Sequence, residues 1–439
     1  MTHPNFAFAP TGMVTGRLSQ SSQRLLMALI ALALLFALLL PTPLLNQMTG
    51  YADAGRMPPF KFHFYTYTLL IALVLVTFAV GLVRFVSEQA GAQPGVLQFA
   101  AVIVLCAAIT ILRQGMSGVA NMANTMFAAP LAVMLAFYLD ENRRLKLTSL
   151  IIGFVAVNAA IGVCERIAGV NLFVFPEMGG TEYFRSTALM GHPLENAFIT
   201  SSVAFLVPAM PWSVARKAAV LALMLAGILA FGARSSFAVT LILGAAALLY
   251  IAAVALARGK MRVSTLAAAP WFGLLAIGAG AALALGTSLG ERIVQLAKID
   301  ASAQARIDVF RLFNYLSPGD LLYGVDFAEI NFLLKTYKEV AIIENCWIGL
   351  LLMLGAILFA VFAVSLLTFL RSIARGRGAL AFFAVMAFLV VASTSNSLRT
   401  QTASLMIFAV ALFGLPAQQK AARSTRVTFD PAIVQGAWS

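Results

Sequence analysis

Residues 25–45 contain no charged side chain, and comparable apolar runs recur as far as residue 416. A run of about twenty such residues is long enough to cross hydrocarbon as a helix and hard to hide in a soluble domain. Of 439 residues, 61% are hydrophobic and 11% charged, against roughly 45–50% and 25% in soluble domains. The chain is therefore expected to be an all-α, polytopic integral membrane protein. Soluble enzymes, disulfide scaffolds and disordered chains are excluded. The runs are continuous rather than alternating, which excludes a membrane β-barrel. Cys106, Cys164 and Cys346 are too few and scattered for a metal cage or a disulfide framework. The polar stretch to Arg24 leads into an apolar run without a small-residue cleavage site. An uncleaved first helix is predicted there.

Twelve spans are predicted, near 25–45, 63–86, 96–112, 118–139, 147–168, 197–210, 217–232, 236–257, 265–288, 345–370, 379–395 and 400–416. They make one transmembrane domain, 1–439, with one long polar loop at 289–343 between spans nine and ten and a shorter one at 169–196. Basic residues set the orientation, because positively charged short loops stay in the cytoplasm. With a cytoplasmic N-terminus, the inner segments carry Arg17 and Arg24, Arg84, Arg143, Arg144 and Lys146, Arg216 and Lys217. They also carry Arg258, Lys260 and Arg262, then Arg371, Arg375 and Arg377, then Lys420, Arg423 and Arg426: 17 of the 30 basic residues. Both termini are thus expected to be cytoplasmic and both long loops external. The net charge of +13 follows from this distribution, and no interleaved aromatic–basic patch points to nucleic acid.

Three arginines break the pattern. Arg113, Arg234 and Arg399 each sit alone at a short outer turn between apolar helices. Each opposes the orientation rule and costs up to about 2–3 kcal/mol of insertion energy if deep. Any one can snorkel to headgroup phosphates. Together, on the side of the loops bearing Arg185 and Arg306, they fit an external anion-binding cavity better, since guanidinium offers a fixed fork of donors to phosphate oxygens.

Four polar segments punctuate the later chain. Tyr183–Asn196 holds Arg185, a candidate phosphate ligand, and His192, which either shuttles a proton or forms a helix-opening corner. Ala230–Phe237 holds Arg234 at a turn where Ser235 and Ser236 are expected to cap the next helix, leaving amides for an anion. Residues 305–324 hold Arg306, while Asp308 and Arg311 are spaced to pair with each other. Ile343–Gly355 opens with Glu344, either a dipole-favoured cap or a general base. No DxD pair, HExxH, P-loop or dinucleotide fingerprint occurs, so no metal or nucleotide cofactor is expected.

Over about residues 183–355 these segments together resemble the Wzy/WaaL superfamily of polysaccharide polymerases and O-antigen ligases. The likeness rests on the run Arg185–Asn196, the turn Arg234-Ser235, the run Arg306–Gly324 and the segment Asn345–Gly355, in that order, with one large late loop. It implies a metal-independent, GT-C-like glycosyltransferase of the bacterial inner membrane that polymerises lipid-linked repeat units in exopolysaccharide or capsule synthesis. The donor would be an undecaprenyl-pyrophosphate-linked oligosaccharide, and a flippase and a chain-length regulator would be partners. Glu344 and His192 would supply the acid–base chemistry. Arg185, Arg234, Arg306, Arg113 and Arg399 would bind pyrophosphate, and Asn345 and Asn196 would position the acceptor. Ligases of the family usually show His-Asn where this chain has Glu344-Asn345, which favours a polymerase over an O-antigen ligase. A flippase or transporter of lipid-linked oligosaccharide is the other alternative. Such carriers are usually built from two related halves, which are not evident here, and Glu165 is its main candidate coupling acid.

Overall fold

A computed structural model of the chain describes residues 18–49, 61–115, 119–173, 184–259, 304, 308–337 and 343–417. Predicted span nine (265–288), Arg306 and most of the loop before residue 308 lie outside the described residues. Within them the protein is wholly helical. Its helices are α1 (Gln20–Leu39), α2 (Thr42–Thr49), α3 (Phe64–Val80), α4 (Leu82–Ala92), α5 (Pro94–Gln114), α6 (Val119–Asn121), α7 (Ala128–Ala136), α8 (Glu141–Ala168), α9 (Pro193–Ala204), α10 (Val214–Ala230) and α11 (Arg234–Ala257). After the undescribed stretch come α12 (Pro318–Tyr323), α13 (Phe327–Tyr337), α14 (Cys346–Ala374), α15 (Ala379–Ala392) and α16 (Ser404–Phe413).

Five of these, α1, α5, α8, α11 and α14, are long and apolar enough to cross a membrane. The fold is that of an all-helical membrane protein. Predicted span two is not one rod: α3 and α4 meet at Gly81 with a bend of 101°, and counted as one broken span they bring the total to six. Span four is also interrupted. A π-helical turn, Met122–Phe127, separates α6 from α7. Spans six, eleven and twelve shrink to short helices of 12, 14 and 10 residues.

Local chemistry explains the ends. Ser19, Asp140 and Ser213 accept hydrogen bonds from the first turns of α1, α8 and α10, and Pro opens α5 and α9 where its missing N–H costs nothing. Between helices the packing relies on small residues, as expected where lipid supplies no hydrophobic drive. Gly227 of α10 lies against Ala159 of α8, and Gly162 of α8 against the Phe231 ring. Helices α5 and α14 run together through Gly95 on Thr368 and a stack of Phe99 on Phe369, 4.9 Å between centroids. Every residue of α16 is buried. It is the axis of the bundle, with Phe408 stacked on Phe388 at 4.5 Å and Thr148 donating to the Ala411 carbonyl. At its far end Arg377 donates to the carbonyls of Phe413, Leu415 and Ile373, tying the α14–α15 turn to the end of α16.

Candidate functional site

Between α15 and α16 the sequence changes from apolar to Ser393-Thr-Ser-Asn-Ser-Leu-Arg-Thr-Gln-Thr-Ala-Ser404. Short polar side chains compete for backbone hydrogen bonds and end a helix, so α15 stops at Ala392. The loop then collects the ends of five other elements. The Cys346 amide donates to the Ser395 carbonyl at 2.9 Å, and the Trp347 indole to the Ser393 hydroxyl at 2.9 Å. Ser235 at the start of α11 bonds Thr394 at 3.0 Å. Thr125 of the π-turn donates to the Thr400 carbonyl at 2.6 Å, Asn121 to the Arg399 carbonyl, and Thr42 to the Gln401 carbonyl at 2.5 Å. From α16 itself, the Ser404 hydroxyl donates to Glu195 of α9 at 3.2 Å. This polar loop is the hub of one end of the bundle.

Three of the four polar segments read from the sequence meet it. Arg185 lies in an irregular connection whose Ser186 amide donates to the Ala230 carbonyl at 3.3 Å, beside the turn that starts α11. That turn reverses at Gly232, φ 66°, a conformation glycine adopts without penalty. Arg234 is the first residue of α11. The expected capping by Ser235 and Ser236 does not occur: Ala233 occupies the cap position with no side-chain bond, Ser235 faces Thr394 and Ser236 is buried. The cap residue thus offers no side chain to the amides that open α11. In the third segment Asn345 caps α14, its side-chain oxygen accepting from Trp347 and Ile348. Half-buried Glu344 immediately precedes it. Arg399 lays its side chain over Gly349 on the first turn of α14, a contact that a β-carbon there would occupy.

The other expected site residues fall differently. Asn196 is wholly buried, donating to the Thr187 carbonyl at 2.5 Å and accepting from Asn158 at 2.9 Å. It fastens the loop rather than facing a cavity. His192 opens α9 and is half-buried deep in the bundle. Burial, with the Arg185 guanidinium second, pushes its pKa down to about 4. The ring is neutral at pH 7 and a weak base. Arg113 stands apart from the hub: its guanidinium donates to the carbonyls of Tyr323 and of Gly324, the latter at 2.6 Å. The Arg311–Asp308 pair expected from spacing forms at 3.4 Å.

Sequence reasoning missed several partners. Glu165 accepts the amides of Leu172 at 2.6 Å and Ala188 at 2.9 Å, holding both sides of the loop after α8. Arg166 donates to the Phe184 carbonyl, next to Arg185. Glu195 and the Ser/Thr run at 393–404 were overlooked as well, although a dozen mostly polar residues between two apolar helices is a readable signal.

The fold and hub thus define a helical membrane protein with an arginine-bearing polar end. In comparison with known proteins, no family model matches the chain, and no curated protein matches it.

Proposed function

We propose that this protein polymerises lipid-linked oligosaccharide repeat units, transferring glycan from an undecaprenyl pyrophosphate donor to a sugar hydroxyl. The observation that carries the reading is the gathering of Arg185, Arg234 and Arg399 on segments that meet at one polar loop. The helix that starts with Arg234 has Ala233 at its cap, which offers its amides no side chain. Guanidinium forks and helix N-terminal amides are the donors a pyrophosphate needs. The depth of the loop supports a lipid-borne substrate. Helix α15, 14 residues, rises about 21 Å and α16, 10 residues, about 15 Å, against about 30 Å of hydrocarbon. Helix α15 starts and α16 ends level with Arg377, so the loop joining them sits below the far surface.

In the reaction the acceptor oxygen attacks the anomeric carbon as the bond from that carbon to the pyrophosphate oxygen breaks. The hydroxyl proton passes to the Glu344 carboxylate, and undecaprenyl pyrophosphate departs with its charge held by the arginines. Glu344 is preferred to His192 as base because it stands just before the start of α14, whose first residues bond the polar loop, whereas His192 forms the Pro-flanked opening of α9. The accompanying topology is twelve spans in the bacterial inner membrane, both termini cytoplasmic and 289–343 outside. A flippase and a chain-length regulator act beside it. The transporter reading loses its main acid, since Glu165 is engaged by two loop amides.

Deletion tests the reading directly: single lipid-linked repeat units should accumulate and polymer should vanish. In correctly inserted protein Arg234→Ala should cut turnover about ten- to a hundredfold, the worth of one charge-assisted contact, with Arg234→Lys a partial rescue. Polymer of normal length and yield from Arg234→Ala and Arg399→Ala would overturn it.

A further inference from the structure

A second polar feature lies behind the hub and stands independently of the proposed reaction. Glu195, in the first turn of α9, is 9% exposed. Among the described residues its carboxylate receives one hydrogen bond, from Ser404 at 3.2 Å. It lines a cavity of about 10 Å³ with Gln401, Thr402, Thr42, His63 and Tyr65, at the lower limit for one water or one bare ion. The Gln401 side-chain oxygen is buried there without a hydrogen bond.

The cavity is rich in acceptors and poor in donors. The Thr42 hydroxyl is directed to the Gln401 carbonyl and the Tyr65 hydroxyl to the Asn124 carbonyl. The titratable and charged residues on the surrounding segments are Lys61, His63 and Tyr65 at α3, Arg185 and His192 before α9, and Arg399 in the loop. Among the described residues none forms an ion pair with Glu195. His63 is not the counter-ion: one ring nitrogen bonds the Leu40 carbonyl at 2.7 Å and the other accepts the Tyr65 amide at 3.4 Å. That pattern describes a neutral ring, its tautomer assigned from the bonds it makes. A carboxylate buried against other acceptors needs a positive charge beside it.

We propose that this cavity binds one monovalent cation, held between the Glu195 carboxylate and the Gln401 amide oxygen. Sodium meets the requirement through oxygen ligands alone, as at the interrupted helices of ion-dependent membrane proteins. A proton meets it by sitting on Glu195 and donating to Gln401. Either cation joins α9 to the hub loop two residues from Arg399.

The full chain in lipid nanodiscs decides between them by thermal melting in sodium chloride against choline chloride at equal ionic strength, at mildly acidic and mildly alkaline pH. Bound sodium raises the midpoint progressively with its concentration. Choline does not, and Glu195→Gln removes the difference. A bound proton leaves the midpoint indifferent to sodium. It lowers the midpoint as pH rises, because the folded chain holds a proton the unfolded chain releases. Glu195→Gln then flattens that slope. Ser404→Ala keeps the carboxylate but removes the donor that Ser404 supplies, so it should shift whichever dependence is found, to higher pH for a proton or to another concentration range for sodium. The site is refuted if wild type and Glu195→Gln respond identically to both sodium and pH. Should Glu195→Gln fail to fold, a Ser404→Ala protein with unaltered dependence refutes it equally.

Discussion

Helix α14 is broken at Gly355, and α15 and α16 are parted by residues 393–403, yet the two interruptions are closed by different chemistry. At Gly355 (φ 76°, ψ 162°) the repair is almost all main chain. The Val325 amide donates to the Leu352 carbonyl at 2.7 Å, and Gly324 presses so closely that a β-carbon on it would lie 2.6 Å from the Met353 carbonyl oxygen. The carbonyls of Tyr323 and Gly324 are then taken by Arg113. At 393–403 the carbonyls of Arg399, Thr400 and Gln401 accept from the side chains of Asn121, Thr125 and Thr42 on neighbouring segments. Both obey the rule that backbone polar groups away from water must be bonded. The lesson is in the donors: the first interruption closes partly through the Arg113 guanidinium, whereas the carbonyls of the second accept from neutral side chains and a main-chain amide.

The largest effect should come from the glycine joint. Gly355→Ala puts a β-carbon 2.5 Å from the Leu322 carbonyl oxygen at a positive φ, so strain and clash add to about 3 kcal/mol or more. Loss of most folded protein is expected in detergent melting. Gly153→Ala meets nothing within 4 Å and should stay within about 1 kcal/mol of wild type. Equal midpoints for the two variants would show that the joint yields.

Next in size is a crossed pair that can break the comparison outright. Arg113→Ala should lower stability by about 1.5–3 kcal/mol, the worth of a charge-assisted bond to a carbonyl, with turnover per folded molecule unchanged. Arg234→Ala should lose turnover per folded molecule, by about ten- to a hundredfold, beyond anything its midpoint explains. If Arg113→Ala instead abolished turnover without destabilising the protein, Arg113 would belong to the anion site after all.

The contrast also marks what could be read in advance. Apolar runs located the helices because hydrocarbon demands them, and the Asp308–Arg311 pair followed from helical spacing. The breaks at Gly81 and Gly355 did not show, since nothing in an apolar run marks which glycine will take the positive φ that both adopt. Arg113 and Arg234 look alike in sequence, each alone at an outer turn. Only the fold shows that carbonyls of Tyr323 and Gly324, more than two hundred residues away, engage the first. The bonds of Glu165 and most of those of Asn196 were unreadable for the same reason: main-chain amides and carbonyls carry no sequence signature. The convergence on residues 393–404 is tertiary and could not be inferred from local pattern.

The smallest effect tests how firmly the joint's outer edge is held. Ser317 and Asp320 form a reciprocal cap at the start of α12, the Ser317 hydroxyl and amide donating to Asp320 at 2.7 and 2.9 Å. These bonds hold the Asp320 carboxyl below its usual range. A carboxyl more acidic in the folded chain than in the unfolded one stabilises the fold above its unfolded pKa, and that share is lost as pH falls through the lower folded value. The group is exposed to solvent, so the share is small. Asp320→Asn should therefore leave activity untouched at neutral pH, lower the midpoint slightly there, and match wild type once the medium is acid enough to protonate Asp320. Because α12 leads straight into Tyr323 and Gly324, the same variant should weaken the hold of Arg113. The sum of the two single losses would then exceed the loss in Arg113→Ala/Asp320→Asn. Strict additivity would mean that the cap and the joint are independent, and that the interruption at Gly355 is held by its glycines and Arg113 alone.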